Sequence, residues 1–279
     1  MSPPRPKVLV LASTFPRWNG DRQPRFVLDL CKGLADRFDI LVLAPHAPGA
    51  ALAETLEGIP VRRFRYWIPR WQSLAYGGGM LEQVRGNPLR LLQLPFLLSA
   101  LILATRRALA DDGHSLIHAH WIIPQGVAAA AVRGRTPLVC TAHGADAFGL
   151  RAKPFLALKR WVLGRSTALT VVSEAIASQL RPLLPHPMDT PVMPMGADLR
   201  DTFTPDESVE REPMRLVFAG RMVEKKGVEV LLRALPAVLD KHPGIRLHIV
   251  GTGPREATLR TRATDLGLEA RVVFHGALD

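Results

Sequence analysis

The run Leu216-Val-Phe-Ala-Gly-Arg-Met-Val-Glu-Lys-Lys-Gly-Val-Glu-Val-Leu-Leu-Arg-Ala-Leu235 constrains the fold more than any other stretch. An apolar strand pattern, a glycine turn with a basic cluster and an amphipathic helix follow one another without a break, which is how an α/β unit begins. A strand that ends at a glycine and feeds a helix exposes unpaired N–H groups. It also presents the positive end of the helix dipole, about half an elementary charge. Such a corner is expected to bind anions. Arg221 brings a planar fork that grips two phosphate oxygens at once, and Lys226 a mobile point charge about one helical turn away. Together they suit a diphosphate. Solvated ends of a surface helix are the plainer reading of the same charges.

At 279 residues with 47% hydrophobic content the chain can bury a substantial core and is long enough for two moderate domains. The formal charge of +11 favours anionic partners, among them nucleic acid, anionic lipid and phosphorylated metabolites. Cys31 and Cys140 lack metal-type spacing and sit in apolar patterns. They read as core residues of a protein in a reducing compartment. Met1 to Lys7 leads directly into the strand Val8 to Ala12, without the longer apolar region of a signal peptide, so a cytoplasmic protein is expected.

In chain order, Val8 to Ala12 is a continuous apolar run suited to a central parallel strand. The polar loop Ser13 to Pro24 follows, in which Asn19-Gly20 lets the backbone turn tightly near a ligand, then a helix from Arg25 to Arg37. Strands are predicted at Ile40 to Ala44 and, third, at Val61 to Phe64. Arginines 62, 65 and 70 interleave with Trp67 and Trp71, a pattern suited to membrane interfaces, sugar stacking or nucleic acid. Leu89 to Leu109 is leucine-rich, and its uninterrupted part is shorter than the roughly 20 residues of a membrane span because Pro95 breaks it. It reads as a helix buried on the sheet, with peripheral attachment to an anionic bilayer as the alternative.

Leu116 to Trp121 is a strand whose His118 and His120 share one face. Pro137 to Ala142 forms another, which delivers His143 at its carboxyl end, with the carboxylate of Asp146 three residues on as a candidate for binding substrate hydroxyls. A helix from Lys153 to Leu163, a strand from Ala168 to Val172 and a helix capped by Ser173 follow. The expected organisation is residues 1–198 as a first Rossmann-like domain, 199–213 as a linker and 214–279 as the first part of a second. The second holds three strands and two helices, fewer than the five or six strands of a doubly wound sheet, and is expected to be cut short.

Thr141-Ala-His-Gly-Ala-Asp146, Val171-Val-Ser-Glu174, Met195-Gly-Ala-Asp198, Ala219-Gly-Arg221 with Lys226-Gly227, and Val250-Gly-Thr-Gly-Pro254 occur in the order found in retaining glycosyltransferases of family 4. The chain resembles that family over essentially its whole length. The resemblance implies a GT-B fold, with an amino-terminal acceptor-side domain and a carboxyl-terminal domain that binds a nucleotide-sugar. It implies that Arg221 and Lys226 hold the donor diphosphate, that His143 lies at the reaction centre, and that Asn19 and Gly20 with Asp146 line the acceptor side. Gly220, Gly251, Gly253 and Gly276 would approach the donor. No metal or other cofactor is expected, since fixed donors can stabilise the departing diphosphate.

Two features depart from the family pattern: one glycine, Gly20, stands in the first loop where the family has a pair, and the paired glutamates of the family's donor site do not occur before Asp279. The expected function is transfer from a nucleotide-diphosphate sugar to a lipid-linked or polysaccharide acceptor in cell-envelope synthesis, in the cytoplasm and peripherally at the inner membrane face. The alternative is a truncated, non-catalytic chain that keeps acceptor or membrane binding only. A nicotinamide dehydrogenase is disfavoured because Ser13 to Gly20 lacks Gly-x-Gly-x-x-Gly, and no nucleic-acid module accompanies the charge.

Overall fold

Val8, Leu9, Val10 and Leu11 are all buried, which a strand achieves only when both faces of its sheet are covered. In the computed structural model, which describes residues 4–21, 23–77, 79–199 and 202–278, these residues lie in the central strand β1 (Lys7–Leu11). Successive side chains alternate between two cores. Leu9 and Leu11 enter one with Ile117, Leu138 and Leu169, while Val8 and Val10 enter the other with Phe15, Val27 and Leu28.

Contacts divide the chain into two units, Met1–Phe203 and Thr204–Asp279. In the first, β2 (Asp39–Pro45), β3 (Ala53–Leu56), β4 (Ile59–Phe64), β5 (Leu116–His120), β6 (Leu138–Ala142) and β7 (Ala168–Val171) join β1 in a seven-stranded sheet. The order is β3-β4-β2-β1-β5-β6-β7, parallel except for β3. The chain builds outward from β1 in one direction, then returns to build outward from β5 in the other. The topological switch point therefore lies between the carboxyl ends of β1 and β5, where ligands bind in sheets of this kind.

The helices of this unit are α1 (Phe26–Leu34), α2 (Met80–Gly86), α3 (Leu94–Asp112), α4 (Val127–Val132), α5 (Ala145–Phe148), α6 (Lys153–Arg165) and α7 (Glu174–Leu180). Ser173 caps α7 by accepting from the Ile176 N–H, as its position predicts. Cys31 and Cys140 are buried, and burial raises both thiols to about 12, so they are inert core residues.

Two expectations need correction. Val61 to Phe64 belongs to the fourth strand, not the third. The antiparallel β3 precedes it, joined by the two-residue turn Glu57-Gly58 with φ of 47° and 86°. Positive φ at both positions is what a tight hairpin matching strand twist requires, and Glu-Gly carries a weaker sequence signal for it than Asn-Gly.

The leucine-rich segment is also not a buried helix interrupted by proline. A helical run extends unbroken over Pro88–Asp112, a 3-10 turn (Pro88–Gln93) leading into α3, and it is long and apolar enough to cross a membrane. Pro95 sits in the first turn of α3, where its missing N–H costs nothing. The helix buries only one side, through Leu97, Leu101, Thr105 and Ala108.

Leu199 to Pro213 contains no helix or strand among its described residues. The second unit is β8 (Arg215–Ala219), α8 (Val228–Leu239), β9 (Arg246–Val250), α9 (Glu256–Asp265) and β10 (Val272–Gly276), a parallel sheet ordered β10-β9-β8. Both crossovers run in the same direction, and right-handed crossovers then place both helices on one face. That face carries Leu247, Ile249 and Val272 into a core with Leu232, Leu235 and Leu259. The opposite face leaves Val217 63% and Val273 40% exposed.

Candidate functional site

β5 and β6 end side by side, with His120 opposite Thr141 in the parallel register, so His118, His120 and His143 converge at the switch point. His118 and His120 project from the same face, their ring centroids 4.3 Å apart. His143, just past the end of β6, hydrogen-bonds His120 through Nε2 to Nδ1 at 2.9 Å. His118 Nε2 pairs with the Thr141 hydroxyl at 2.7 Å, and that hydroxyl pairs with Thr170 at 2.7 Å.

Burial pushes all three rings well below the ordinary histidine value, to about 4 for His118 and His143, with mutual repulsion lowering His120 and His143 further. The cluster is neutral at physiological pH. His120 Nε2 is buried without a partner among the described residues. An unpaired acceptor costs less than an unpaired donor, so His120 carries its proton on Nδ1 and donates to His143. His143 then holds its own proton on Nδ1 and offers that N–H as a neutral donor.

The surrounding loop is built to hold this arrangement. Asp146 is 3% exposed, and its carboxylate accepts from the backbone N–H groups of Ile122 (2.9 Å), His143 (3.1 Å) and Gly144 (3.1 Å). Burial raises its pKa, offset by those three donors. The expectation that Asp146 binds substrate hydroxyls is therefore corrected: its oxygens are committed to tying the β5 and β6 ends together.

Trp121 takes φ of 76°, rare for a bulky residue, and packs on His143 with centroids 4.7 Å apart. Its N–H donates to Thr141 O at 2.8 Å and its C=O accepts from Gly126 at 3.0 Å, so the strained backbone is held from both sides. Phe26 at the start of α1 packs beside both, 5.2 Å from His143 and 6.0 Å from Trp121. Below the loop, Lys159 is fully buried and donates to Gly149 O at 2.7 Å.

Asn19 and Gly20 lie at the exposed tip of the loop after β1. Gly20 adopts φ of 77°, with open space where a Cβ would stand, so the turn and not crowding demands glycine. Arg17 closes the loop with three bonds to the buried Asp21 at 2.7–2.8 Å. Arg63 from β4, its side chain inaccessible, donates to Pro16 O at 2.9 Å and to Glu54 at 2.6 Å. Gln125, with its amide oriented to satisfy both neighbours, links Ser13 N to His120 O.

In the second unit the strand does not feed the helix directly. Gly220 follows β8, and Arg221, the buried Met222 and Val223, and a 3-10 turn (Glu224–Lys226) intervene before α8 begins at Val228. Arg221 and Lys226 are both exposed on this turn. No side chain caps the amino end of α8, whose preceding Gly227 takes φ of 73°. Glu229 in its first turn is gripped by Arg255 and Arg233, each at 2.6 Å.

Two of the glycines named from sequence, Gly251 and Gly253, are demanded here by backbone crowding. A Cβ on Gly251 would stand 2.1 Å from Gly220 O, and one on Gly253 would stand 2.4 Å from Met222 O. Gly251 N donates to Gly276 O at 2.6 Å, so Gly220, Gly251, Gly253 and Gly276 form one packed set of strand ends beside Arg221. Among the described residues no three His, Cys, Asp or Glu side chains are grouped to hold a metal ion.

Sequence reasoning singled out His143, His118 and His120 but gave no role to Trp121, Phe26, Arg63, Lys159 or the Glu229–Arg255 pair. A tryptophan following His-Ala-His at a strand end was the one local signal on the page.

Two Rossmann-like α/β units, with strand-end loops of this kind in each, define the class. Residues 23–201 match Glycosyltransferase Family 4 and residues 200–279 match Glycosyl transferases group 1. The chain belongs to this glycosyltransferase family, and its fold is that of GT-B glycosyltransferases. It is 32% identical over 161 residues, 52% of its length and 39% of the relative's, to a protein described as a teichuronic acid biosynthesis glycosyltransferase of Bacillus subtilis. It is 30% identical to D-inositol 3-phosphate glycosyltransferase of Actinosynnema mirum over 72% of this chain and 54% of that one.

Among solved structures, sucrose-phosphate synthase of Thermosynechococcus elongatus superposes with a TM-score of 0.66 at 17% identity, covering 99% of this chain and 71% of that one. Anabaena HepE, solved with UDP and glucose, gives 0.60 at 19% identity over 99% and 70%. The matches span about half or less of the length of these curated relatives.

Proposed function

We propose that the protein transfers a glycosyl unit from a nucleoside-diphosphate sugar to a lipid-linked or polysaccharide acceptor of the cell envelope, with retention of configuration, in the cytoplasm at the inner membrane face. Family membership and the nucleotide found in Anabaena HepE support the donor class. The acceptor reading draws on relatives named for teichuronic acid synthesis and for mannosyl transfer to phosphatidylinositol monomannoside, the latter from Mycolicibacterium smegmatis at 39% identity over 92 residues.

The observation that carries the proposal is Arg221, held between Gly220 and the fully buried Met222 with its side chain exposed on a corner whose backbone is fixed by the glycine set. Breaking the sugar–phosphate bond leaves negative charge on the departing diphosphate. A guanidinium anchored in this way stabilises that charge as it grows without having to reorganise. Lys226 adds a second positive charge, and the strand ends at Gly251, Gly253 and Gly276 receive the nucleoside.

His143, neutral and oriented by His120, donates a hydrogen bond to a sugar hydroxyl at the reaction centre, and Asn19-Gly20 contact the acceptor. Retention without an enzyme nucleophile then proceeds by front-face attack, with the leaving phosphate accepting the acceptor's proton. Nothing in this sequence of steps uses a metal ion.

Isothermal titration of the protein with UDP, GDP and ADP, repeated on Arg221→Ala, tests the proposal. Binding of one of them that weakens at least about tenfold in the variant is expected, and equal binding by both proteins overturns the diphosphate assignment. The second reading is a protein that binds acceptor or membrane without catalysing transfer. It is favoured by the uncovered sheet face of the second unit, with Val217 63% exposed, and absence of all nucleotide binding would select it.

A further inference from the structure

The segment from Arg62 to Arg107 carries eight arginines and one acidic residue, Glu82. It also carries seven of the sixteen large apolar side chains that the described residues of the first unit leave open to solvent. Trp71 is 53% exposed, Leu89 73%, Leu92 63% and Phe96 54%, accompanied by Ile68 and Leu91. These belong to one patch because the two stretches that bear them are pinned together. Gln93, buried between them, donates to Trp71 O at 3.1 Å and accepts from Ser73 N at 3.5 Å, and Trp67 meets Phe96 edge-on at 4.8 Å.

Within the 3-10 turn Leu89 and Leu92 are three residues apart and eclipse one another, and Phe96 and Leu103 continue the same side along α3. The opposite side of α3 carries Leu97, Leu101, Thr105 and Ala108 into the core of the sheet. That side holds the helix along the first unit, although its length and hydropathy would allow a crossing.

Charge selects the occupant. Arg62 is occupied by Asp112 at 2.7 Å and Arg63 is buried, but Arg65, Arg70 and Arg85 are exposed around the apolar patch, with Arg70 stacked on Trp71 at 4.6 Å. Arg106 and Arg107 close its far end. An apolar stripe rimmed by one sign of charge, with tryptophan at the boundary, matches the headgroup region of an anionic bilayer. There the arginines meet phosphates while the apolar side chains enter the acyl boundary.

We infer that the surface formed by Trp71, Leu89, Leu92 and Phe96 with Arg65, Arg70 and Arg85 docks the protein in the plane of an anionic membrane. The inference rests on the lipid-side acceptor reading above and deepens it, by naming the face on which the protein meets the bilayer.

Co-sedimentation of the 279-residue protein with phosphatidylcholine vesicles, with and without phosphatidylglycerol, tests it. The protein pellets with the phosphatidylglycerol vesicles, less so as salt rises, and Leu92→Ser/Phe96→Ser weakens the association at least about tenfold. Both side chains are more than half exposed, so the double variant, which loses the Trp67–Phe96 contact, stays folded at the assay temperature with a slightly lowered thermal midpoint. Arg70→Glu/Arg85→Glu abolishes the preference for phosphatidylglycerol.

Equal pelleting of parent and Leu92→Ser/Phe96→Ser overturns the inference. So does a parent that stays in the supernatant but elutes as a dimer which the double variant dissociates, since the patch would then join two copies. Arg221→Ala pellets as the parent does. A failure of the donor assignment thus leaves vesicle binding intact, and a failure of docking leaves nucleotide titration intact.

Discussion

The strand ends of the first unit and the turn after β8 in the second unit both hold candidate site residues, yet they are built on opposite principles. Around His143 the functional groups are buried or half-buried and neutral: His120 bonded to His143, His118 bonded to Thr141, a carboxylate sealed by three backbone donors, a strained tryptophan held at both its N–H and its C=O. Around Arg221 the backbone is tightly packed, but the charged side chains stand in solvent. The first region spends its interactions on holding a shape. The second packs its main chain and keeps Arg221 and Lys226 at the surface. Substitutions should therefore lower stability in the first region and change ligand chemistry in the second.

Acidification gives the sharpest test of the first half. His118 and His143 are held at about 4 in the folded protein against an ordinary 6.5, so the unfolded chain binds more protons between those values. Stability is fully present above about pH 6.5 and is lost as pH falls towards 4, by on the order of 3 kcal/mol for each ring. Urea unfolding of the first unit across that range measures it. A flat profile would mean that the rings are not desolvated and would erase the contrast.

At Arg221 the expected loss is catalytic. On the proposed function, Arg221→Ala lowers turnover of a nucleotide-sugar by about a hundredfold to a thousandfold, roughly 3–4 kcal/mol of transition-state stabilisation. A variant that unfolds early instead would show that this charge, like those of the first unit, serves the fold.

Asp146→Ala leaves one buried and two partly buried N–H groups without this acceptor and costs about 3 kcal/mol of stability, measured by urea titration, while Asp146→Asn recovers part of it. Gly251→Ala places a methyl 2.1 Å from Gly220 O and costs about 2 kcal/mol in the second unit, followed by its thermal midpoint. Arg233→Ala, which removes one exposed partner of Glu229, changes stability by less than about 1 kcal/mol.

Much of the fold could be read locally. Continuous apolar runs such as Val8 to Leu11 have no soluble use except as strands covered on both faces, and Ser173 announces its helix because a hydroxyl at that position satisfies an otherwise orphaned N–H. β3 was not legible, since Glu-Gly is an ordinary pair until the two strands beside it meet. The leucine-rich segment was misjudged for a related reason. Composition records how apolar a helix is, but not how much of its circumference the rest of the chain covers.

For the site, the sequence by itself determined which residues stand at strand ends: His143 after β6, Arg221 and Gly220 after β8, Gly251 after β9. Strand periodicity and punctuation by glycine are properties of neighbours along the chain. Only the tertiary structure decided that His120 orients His143, that Asp146 serves the backbone and not a sugar hydroxyl, and that Gly251 is glycine because Gly220 lies against it. Each of those depends on parallel register bringing together residues more than 20 positions apart, or on a loop folding back on itself. Distance through space, which sets hydrogen bonding, desolvation and steric contact, is not carried by distance along the chain.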